Sequence, residues 1–258
     1  MIKARHSANG NPQHQWMDQE KVFSPTVMTE LTMITSIIEV RENRDVATCD
    51  IPNAFIQTEV ERQDKDRHRT MMKIRGPLVE ILCEMDPTYK QFVVNEYNIQ
   101  MLYVHIIKAL YGLMISAMLF YNKLKRDLIK NAFKLNSYDP CVANKMVHGN
   151  QLTISWHVDD LKVIHKDSKA VDEFLEWVQK TYGTIGKVKE RCGKIHEYLG
   201  MKLDYTQKGK VIIDMIECVE SMVNSFPEKD LHLFKVRDKS PEIPYITAQG
   251  LFFCKRET

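Results

Sequence analysis

Apolar residues recur along this chain with two periods, near 3.6 and 2, and the switches between them divide it into elements. Ser24-Pro25 reads as a helix start, with Ser at the N-cap and Pro at the first helical position. Val27, Leu31, Ile34 and Ile38 follow at helical spacing. "DVATCDIPNAF" then reads as a short strand running into a proline turn. Residues 59 to 75 mix acids with Arg62, Lys65, Arg67, Arg69, Lys73 and Arg75, which predicts a solvated loop. "MLYVHII", residues 101 to 107, reads as a strand, and "KALYGL" leads from it into a second helix. Ala117, Phe120, Tyr121, Leu124 and Leu128 form that helix's apolar stripe. Leu152, Ile154, Trp156 and Val158 alternate with polar residues, and Leu161, Val163 and Ile164 resume the pattern, which predicts a hairpin with Asp159-Asp160 at its tip. Helical stripes return at Val171, Phe174, Leu175, Val178 and Tyr182, and again at Ile216, Val219, Met222, Val223 and Phe226. Between them, "GTIGKVKE" (183 to 190) reads as a turn and "YLGMKLDY" (198 to 205) as a strand. Strands interleaved with helices predict an α+β fold with a central antiparallel sheet.

Composition adds little to this pattern. The chain's 258 residues suffice for one large domain or two small ones. Hydrophobic residues make up 44% and charged residues 27%, an ordinary globular balance. No apolar run is long enough for a membrane span, so no membrane partner is expected. The start "MIKARHSANG" lacks the apolar core of a secretory signal. The six cysteines are scattered without a C-x-x-C, which fits reduced thiols in an intracellular protein. A net charge of +2 excludes a strongly basic polyanion binder by bulk charge, while leaving room for a local basic groove. There is no P-loop, no H-E-x-x-H and no Gly-x-Ser-x-Gly elbow.

Candidate chemistry centres on the acids. Asp159 and Asp160 at a hairpin tip fit either a polar turn or a site for a hard divalent cation, which prefers oxygen ligands. Asp50 ends another strand candidate and precedes Ala54-Phe55. One acid on one strand and two on a neighbouring hairpin would give the arrangement two-metal phosphoryl chemistry needs. Spacing alone does not make those strands neighbours.

The order of motifs "TCDIPNAF", "KALYGL", "DPCVANKMVHG…SWHVDDLKVIH" and "YLGMKLDY" closely resembles the reverse transcriptase of copia-type LTR retrotransposons, over most of residues 3 to 226. The resemblance implies a right-hand polymerase fold: a palm with a central antiparallel sheet, incomplete fingers and a partial thumb. It implies RNA-directed DNA polymerisation, with nucleotidyl transfer from a dNTP to a primer 3′-hydroxyl on an RNA or DNA template. Asp50, Asp159 and Asp160 match the catalytic, metal-holding acids, for two Mg²⁺ ions or Mn²⁺ in their place. Phe55 matches the residue that excludes a 2′-hydroxyl, and Asn53 and Ala54 lie where the family meets the triphosphate. Tyr111 and Gly112 match the loop beside the nucleotide base. Lys3 and Arg5 match basic finger positions, and Leu199 and Gly200 the primer grip. Read from residues alone, Phe55 fits core and Lys3 and Arg5 fit surface charge equally well.

The chain also departs from the family pattern. His157 stands where the family has Tyr, and "MISAMLF" replaces a segment carrying a Lys and an Arg. Against the family pattern the fingers begin late and the tail is short. The expected division is residues 1–210 for N-terminally truncated fingers and palm, and 211–258 for partial thumb and tail. Ribonuclease H and integrase segments are absent from this chain. The alternative is a catalytically inactive remnant that only binds nucleic acid. The expected location is intracellular, in a cytoplasmic virus-like particle or the nucleus for an active element.

Overall fold

The computed structural model describes residues 7–15, 17, 22–60 and 70–225, and the backbone of 244–247 and 250–253. In chain order the elements are α1 (Thr29–Arg41), β1 (Asp45–Asp50), β2 (Met71–Arg75), α2 (Pro77–Met85), β3 (Val93–Glu96), β4 (Ile99–His105) and α3 (Ser116–Lys130). There follow β5 (Lys134–Leu135), β6 (Val142–Val147), β7 (Asn150–His157), β8 (Asp160–His165), α4 (Ser168–Tyr182) and β9 (Lys189–Cys192). The last are β10 (Ile195–Tyr198), β11 (Met201–Asp204), β12 (Ile212–Asp214), α5 (Ile216–Ser225), β13 (Pro244–Thr247) and β14 (Gly250–Phe253). It is a mixed α and β protein whose sheets are antiparallel.

The chain divides into two compact units, residues 1–24 with 54–123 and residues 25–53 with 124–258. The first carries the sheet β2-β4-β3, backed by a small core of Ile74, Val79, Cys83 and Leu102. The second carries a six-stranded sheet in the order β5-β6-β7-β8-β1-β9, and beside it the sheet β10-β11-β12. Residues of β7 and β8 supply much of its core: Leu152, Ile154, Trp156, Leu161, Val163 and Ile164 are all buried. Helix α4 buries Val171, Phe174, Leu175, Val178 and Tyr182, the stripe its sequence predicts. Among the described residues, no helix is long and apolar enough to cross a membrane.

Seven expectations need correction. The predicted strand 198 to 205 is broken by the Leu199-Gly200 turn between β10 and β11, and the predicted Asp159-Asp160 tip is a Val158-Asp159 turn with Asp160 already in β8. Helix α1 starts at Thr29, four residues past Pro25. The backbone N–H of Val27 donates to the Trp156 carbonyl at 3.3 Å and that of Met28 to the Asp139 carboxylate at 2.9 Å, and these bonds hold the approach to the helix extended. The inward face of α1 is also rotated from the predicted one, although Val27 before the helix is buried and Leu31 half-buried. Thr32, Ser36 and Glu39 are buried, while Ile34 and Ile38 face solvent. The reason is a buried charge on the sheet: Lys162 of β8 lies 2.8 Å from Glu39, bonds Ser36 at 3.1 Å, and is fully buried. Tyr205 completes the network by donating to Glu39 and, at 3.2 Å, to Ser36. A buried ammonium needs a carboxylate and further polar partners, so the helix turns its polar side inward.

The other corrections concern elements that carry little apolar signal. Within the charged stretch 59 to 75, residues Met71–Arg75 form β2, paired in register with β4. Residues 61–69 of that stretch lie outside the described residues. In the predicted turn 183 to 190, Lys189 and Glu190 already belong to β9. In α5, Ile216, Val219, Met222 and Val223 are exposed, although their spacing predicts a buried stripe; Phe226 lies outside the described residues.

Candidate functional site

Strand β1 lies between β8 and β9, so residues in register across the three strands share one face of the sheet. Asp50 is directly opposite Asp160 on β8 and directly opposite Lys189 on β9. The result is a transverse row of two carboxylates and one ammonium, Asp160–Asp50–Lys189. Asp159 occupies the turn before β8, and its carbonyl accepts a hydrogen bond from the Ile51 N–H at 3.1 Å. That bond ties the hairpin tip to the chain just beyond Asp50.

The turn itself is unusual. His157 pairs with Asp160, which leaves Val158-Asp159 as a two-residue connection. Val158 has φ 58°, whereas Asp159 is not in the left-handed region. This is the pattern of a type II′ turn, whose first central position normally holds glycine. A β-branched residue there is strained, and such strain persists only where the surroundings hold it.

Charge crowding shows in Asp160, whose carboxyl is pushed up to about 6. Partial burial is the largest cause, followed by the negative charges of Asp159 and then Asp50, with Lys189 opposing. By surface area Asp160 is exposed, so the effect of the neighbouring carboxylates is the part the strand register supports most directly. Lys189 Nζ lies 2.8 Å from Asp50 Oδ2. Among the described residues, no group of three or more His, Cys, Asp or Glu side chains is placed to hold a metal. The acids are neighbours, yet they are not placed as a ligand set for a metal ion, and the carboxylate of Asp50 is paired with the Lys189 ammonium.

A cleft of about 650 Å³ opens beside this row within the same unit. Asp50, Asp160 and Lys189 line one part of it, and Leu199, Gly200 and Cys218 another. Leu199-Gly200 is the two-residue turn between β10 and β11, with φ 54° and 74°, the type I′ pattern. A Cβ on Gly200 would come within 2.9 Å of Cys218 Sγ, so the absence of a side chain lets α5 approach the hairpin. Asn53, also in this unit, has φ 51° in the turn after Asp50.

Ala54, Phe55, Tyr111 and Gly112 belong to the other compact unit. There Ala54 is fully buried, and the Phe55 ring packs against Tyr111 with centroids 4.6 Å apart and against Phe120 at 6.5 Å. The Tyr111 carbonyl accepts the Ala8 N–H at 2.8 Å. Gly112, with φ 89°, leaves no room for a Cβ, which would lie 1.9 Å from the Ala8 carbonyl oxygen. Lys3 and Arg5 lie outside the described residues. Lys189 is the site residue that sequence reasoning missed. Strand β9 is exposed at every position, so "KERC" carries no alternation to mark it as a strand.

The fold and site together define a mixed α and β protein with a cleft lined in part by acids at the ends of antiparallel strands. No family model matches the chain. It is similar to a retrotransposon polyprotein, the retrovirus-related Pol polyprotein from transposon TNT 1-94 of Nicotiana tabacum, at 25% identity over 205 residues. That match covers 78% of this chain and 13% of the relative's length. Among solved structures, telomerase from Candida albicans in complex with a TWJ fragment of telomeric RNA covers 79% of this chain and 37% of its own, at 10% identity and a TM-score of 0.38.

Proposed function

We propose that the chain is the fingers-and-palm part of an RNA-directed DNA polymerase that extends a primer 3′-hydroxyl with dNTPs on an RNA or DNA template. The observation that carries this reading is the register of Asp50 against Asp160, with Asp159 in the adjoining turn, in a chain similar to a retrotransposon Pol polyprotein. In this reading the six-stranded sheet is the palm, and the unit containing β2, β3 and β4 belongs to the fingers. Leu199-Gly200 grips the primer end across the cleft from the acids. Phe55, backed by Tyr111, walls off a ribose 2′-hydroxyl. Lys3, Arg5, Asn53, Ala54, Tyr111 and Gly112 are the residues assigned to the incoming nucleotide by the resemblance. Catalysis of this kind is mainly positioning and stabilisation of charge on the transferring phosphoryl group. Two Mg²⁺ ions, or Mn²⁺, would supply neutralising charge at Asp50, Asp159 and Asp160 once those side chains rearrange, since they are not placed here as a metal ligand set.

Primer extension on an RNA template tests it, with Asp50→Asn and Asp159→Asn as blanks. Extension that both substitutions abolish is the expected result; extension that survives either one refutes the assignment. In an active protein, Phe55→Ala raises ribonucleotide incorporation, and unchanged selectivity assigns Phe55 to packing alone.

The ion pair between Lys189 and Asp50 favours a second reading, in which the chain binds primer–template without turnover. Retained binding with no extension under any divalent ion distinguishes it.

A further inference from the structure

Helix α1 presents apolar side chains to solvent and polar ones to the sheet. Thr32, Ser36 and Glu39 are buried, and Ser36 and Glu39 are held there by Lys162, whereas Ile34 and Ile38 are 52% and 40% exposed. At 3.6 residues per turn, Glu30, Ile34, Ile38 and Arg41 fall on one stripe about 80° wide, on the side away from the buried residues. All four are exposed, and the half-buried Leu31 and Ile37 flank the two isoleucines. A contiguous exposed apolar patch with a polar rim marks an interaction surface. The rim here has a direction: Glu30 lies in the first turn and Arg41 in the last. Read from either end, the stripe is its own complement, with an acid, two isoleucines and a base meeting a base, two isoleucines and an acid.

We propose that this stripe is a self-association surface, through which a second copy of the chain pairs its α1 antiparallel to the first about a two-fold axis. A two-fold interface uses the same patch on both subunits, so each contact between two different residues occurs twice. Ile34 and Ile38 of one copy pack against Ile38 and Ile34 of the other, and Glu30 of each copy faces Arg41 of the other. The midpoint of Glu30 and Arg41 along the helix is within one residue of the midpoint of Ile34 and Ile38, so a single register satisfies both sets. A parallel pair would instead set Glu30 against Glu30 and Arg41 against Arg41. This match of charge and apolar surface selects a second copy as the occupant. One pair of 13-residue helices is a small interface, below the roughly 1,200 Å² at which stable complexes begin, so the dimer is weak and depends on concentration. The proposal does not depend on the polymerase reading.

The test is sedimentation equilibrium of the full chain without nucleic acid, over a range of concentrations and at low salt. The native protein should pass from monomer to dimer as its concentration rises towards about 1 mM, the weak end of specific association. Ile38→Glu sets a charge against the partner's apolar side chains and should weaken the dimer at least tenfold. Glu30→Arg and Arg41→Glu should each weaken it by roughly three- to tenfold, because each substitution acts twice across the axis. A 1:1 mixture of Glu30→Arg with Arg41→Glu restores opposite charges at both ends of the pair. It should associate at least as well as the native protein, and lose that advantage at high salt. Circular dichroism of each variant checks that α1 is intact, and the mixture carries its own control, since its components are the two weakened proteins. A native chain that stays monomeric throughout overturns the proposal. So does a dimer that Ile38→Glu leaves intact, which would put the interface on another surface such as the exposed face of α5. A mixture no better than its components overturns the antiparallel pairing.

Discussion

At the scale of single residues, the site combines strain and crowded charge on a very short stretch of chain. The raised carboxyl of Asp160 has a stability consequence whose sign is fixed. Its ordinary value of 3.8 describes the unfolded chain, and about 6 the folded one. Between these values the folded protein binds more protons, so stability falls as pH rises through that window. The contribution is fully present below about pH 4 and gone above about pH 6. Because Asp160 is exposed, solvent screening limits it to about 1 kcal/mol or less. Asp160→Asn should therefore be slightly more stable than the native protein at pH 7, with a flatter pH dependence in urea unfolding. A variant that loses stability at pH 7 would mean that the Asp160 charge is favourably held. Gly200 offers a second separable effect. Gly200→Ala meets both the left-handed backbone, at about 1–2 kcal/mol, and Cys218 Sγ at 2.9 Å. Adding Cys218→Ala should recover the steric part and leave the backbone part; recovery of the whole loss would show that the turn has relaxed.

At the scale of elements, the inward-facing polar side of α1 makes the strongest demand on the fold. Lys162→Met leaves Glu39 buried without its cation, which should cost about 3–5 kcal/mol in chemical unfolding. Lys162→Met with Glu39→Leu should recover most of that loss, because packed apolar groups replace the pair without a stranded charge. A double variant no better than the single one would mean that Tyr205 and Ser36 need Glu39 for their own hydrogen bonds. The same helix shows where a sequence can be read and where it cannot. Strands β7 and β8 and helix α4 are legible because their apolar residues recur at period 2 or 3.6, although both faces of β7 and β8 are buried, Thr153, Ser155 and Lys162 included. The acids at the hairpin tip are legible for the same reason, since the alternation stops and resumes around them. Helix α1 is misread because Ile34 and Ile38 keep helical spacing on a face that Lys162 turns outward. Nothing within "TELTMITSIIEVR" signals the buried lysine, more than a hundred residues away on β8. Strand β9 is misread because every side chain on it is exposed, and β2 because its strand lies next to a run of charges.

At the scale of the whole molecule, the two compact units divide the expected site residues between them. Asp50, Asn53, Asp159, Asp160, Leu199 and Gly200 fall in one; Ala54, Phe55, Tyr111 and Gly112 fall in the other. A net charge of +2 gives little general attraction for a nucleic acid, so binding must come from local cations. Lys3, Arg5 and Lys108 are the basic residues we propose for such a groove. Affinity for primer–template should fall linearly with salt on a log–log plot, by roughly tenfold or more over a fourfold rise in salt if two or more phosphates are contacted. A flat titration would rule out a groove that tracks the backbone.

The polar anchor of α1 also bears on temperature. Charged groups are hydrated more favourably in the cold, so burying Lys162 against Glu39 becomes more costly as the protein is cooled. Apolar burial weakens in the same direction. Helix α1 is held to the sheet by this charge network where most helices rely on a greasy stripe, so it is the segment to loosen first near freezing. Amide exchange along Thr29–Arg41 should rise, relative to the strands beneath it, between about 25 °C and about 5 °C. Helix α1 would then be the part of the fold that cold storage protects least.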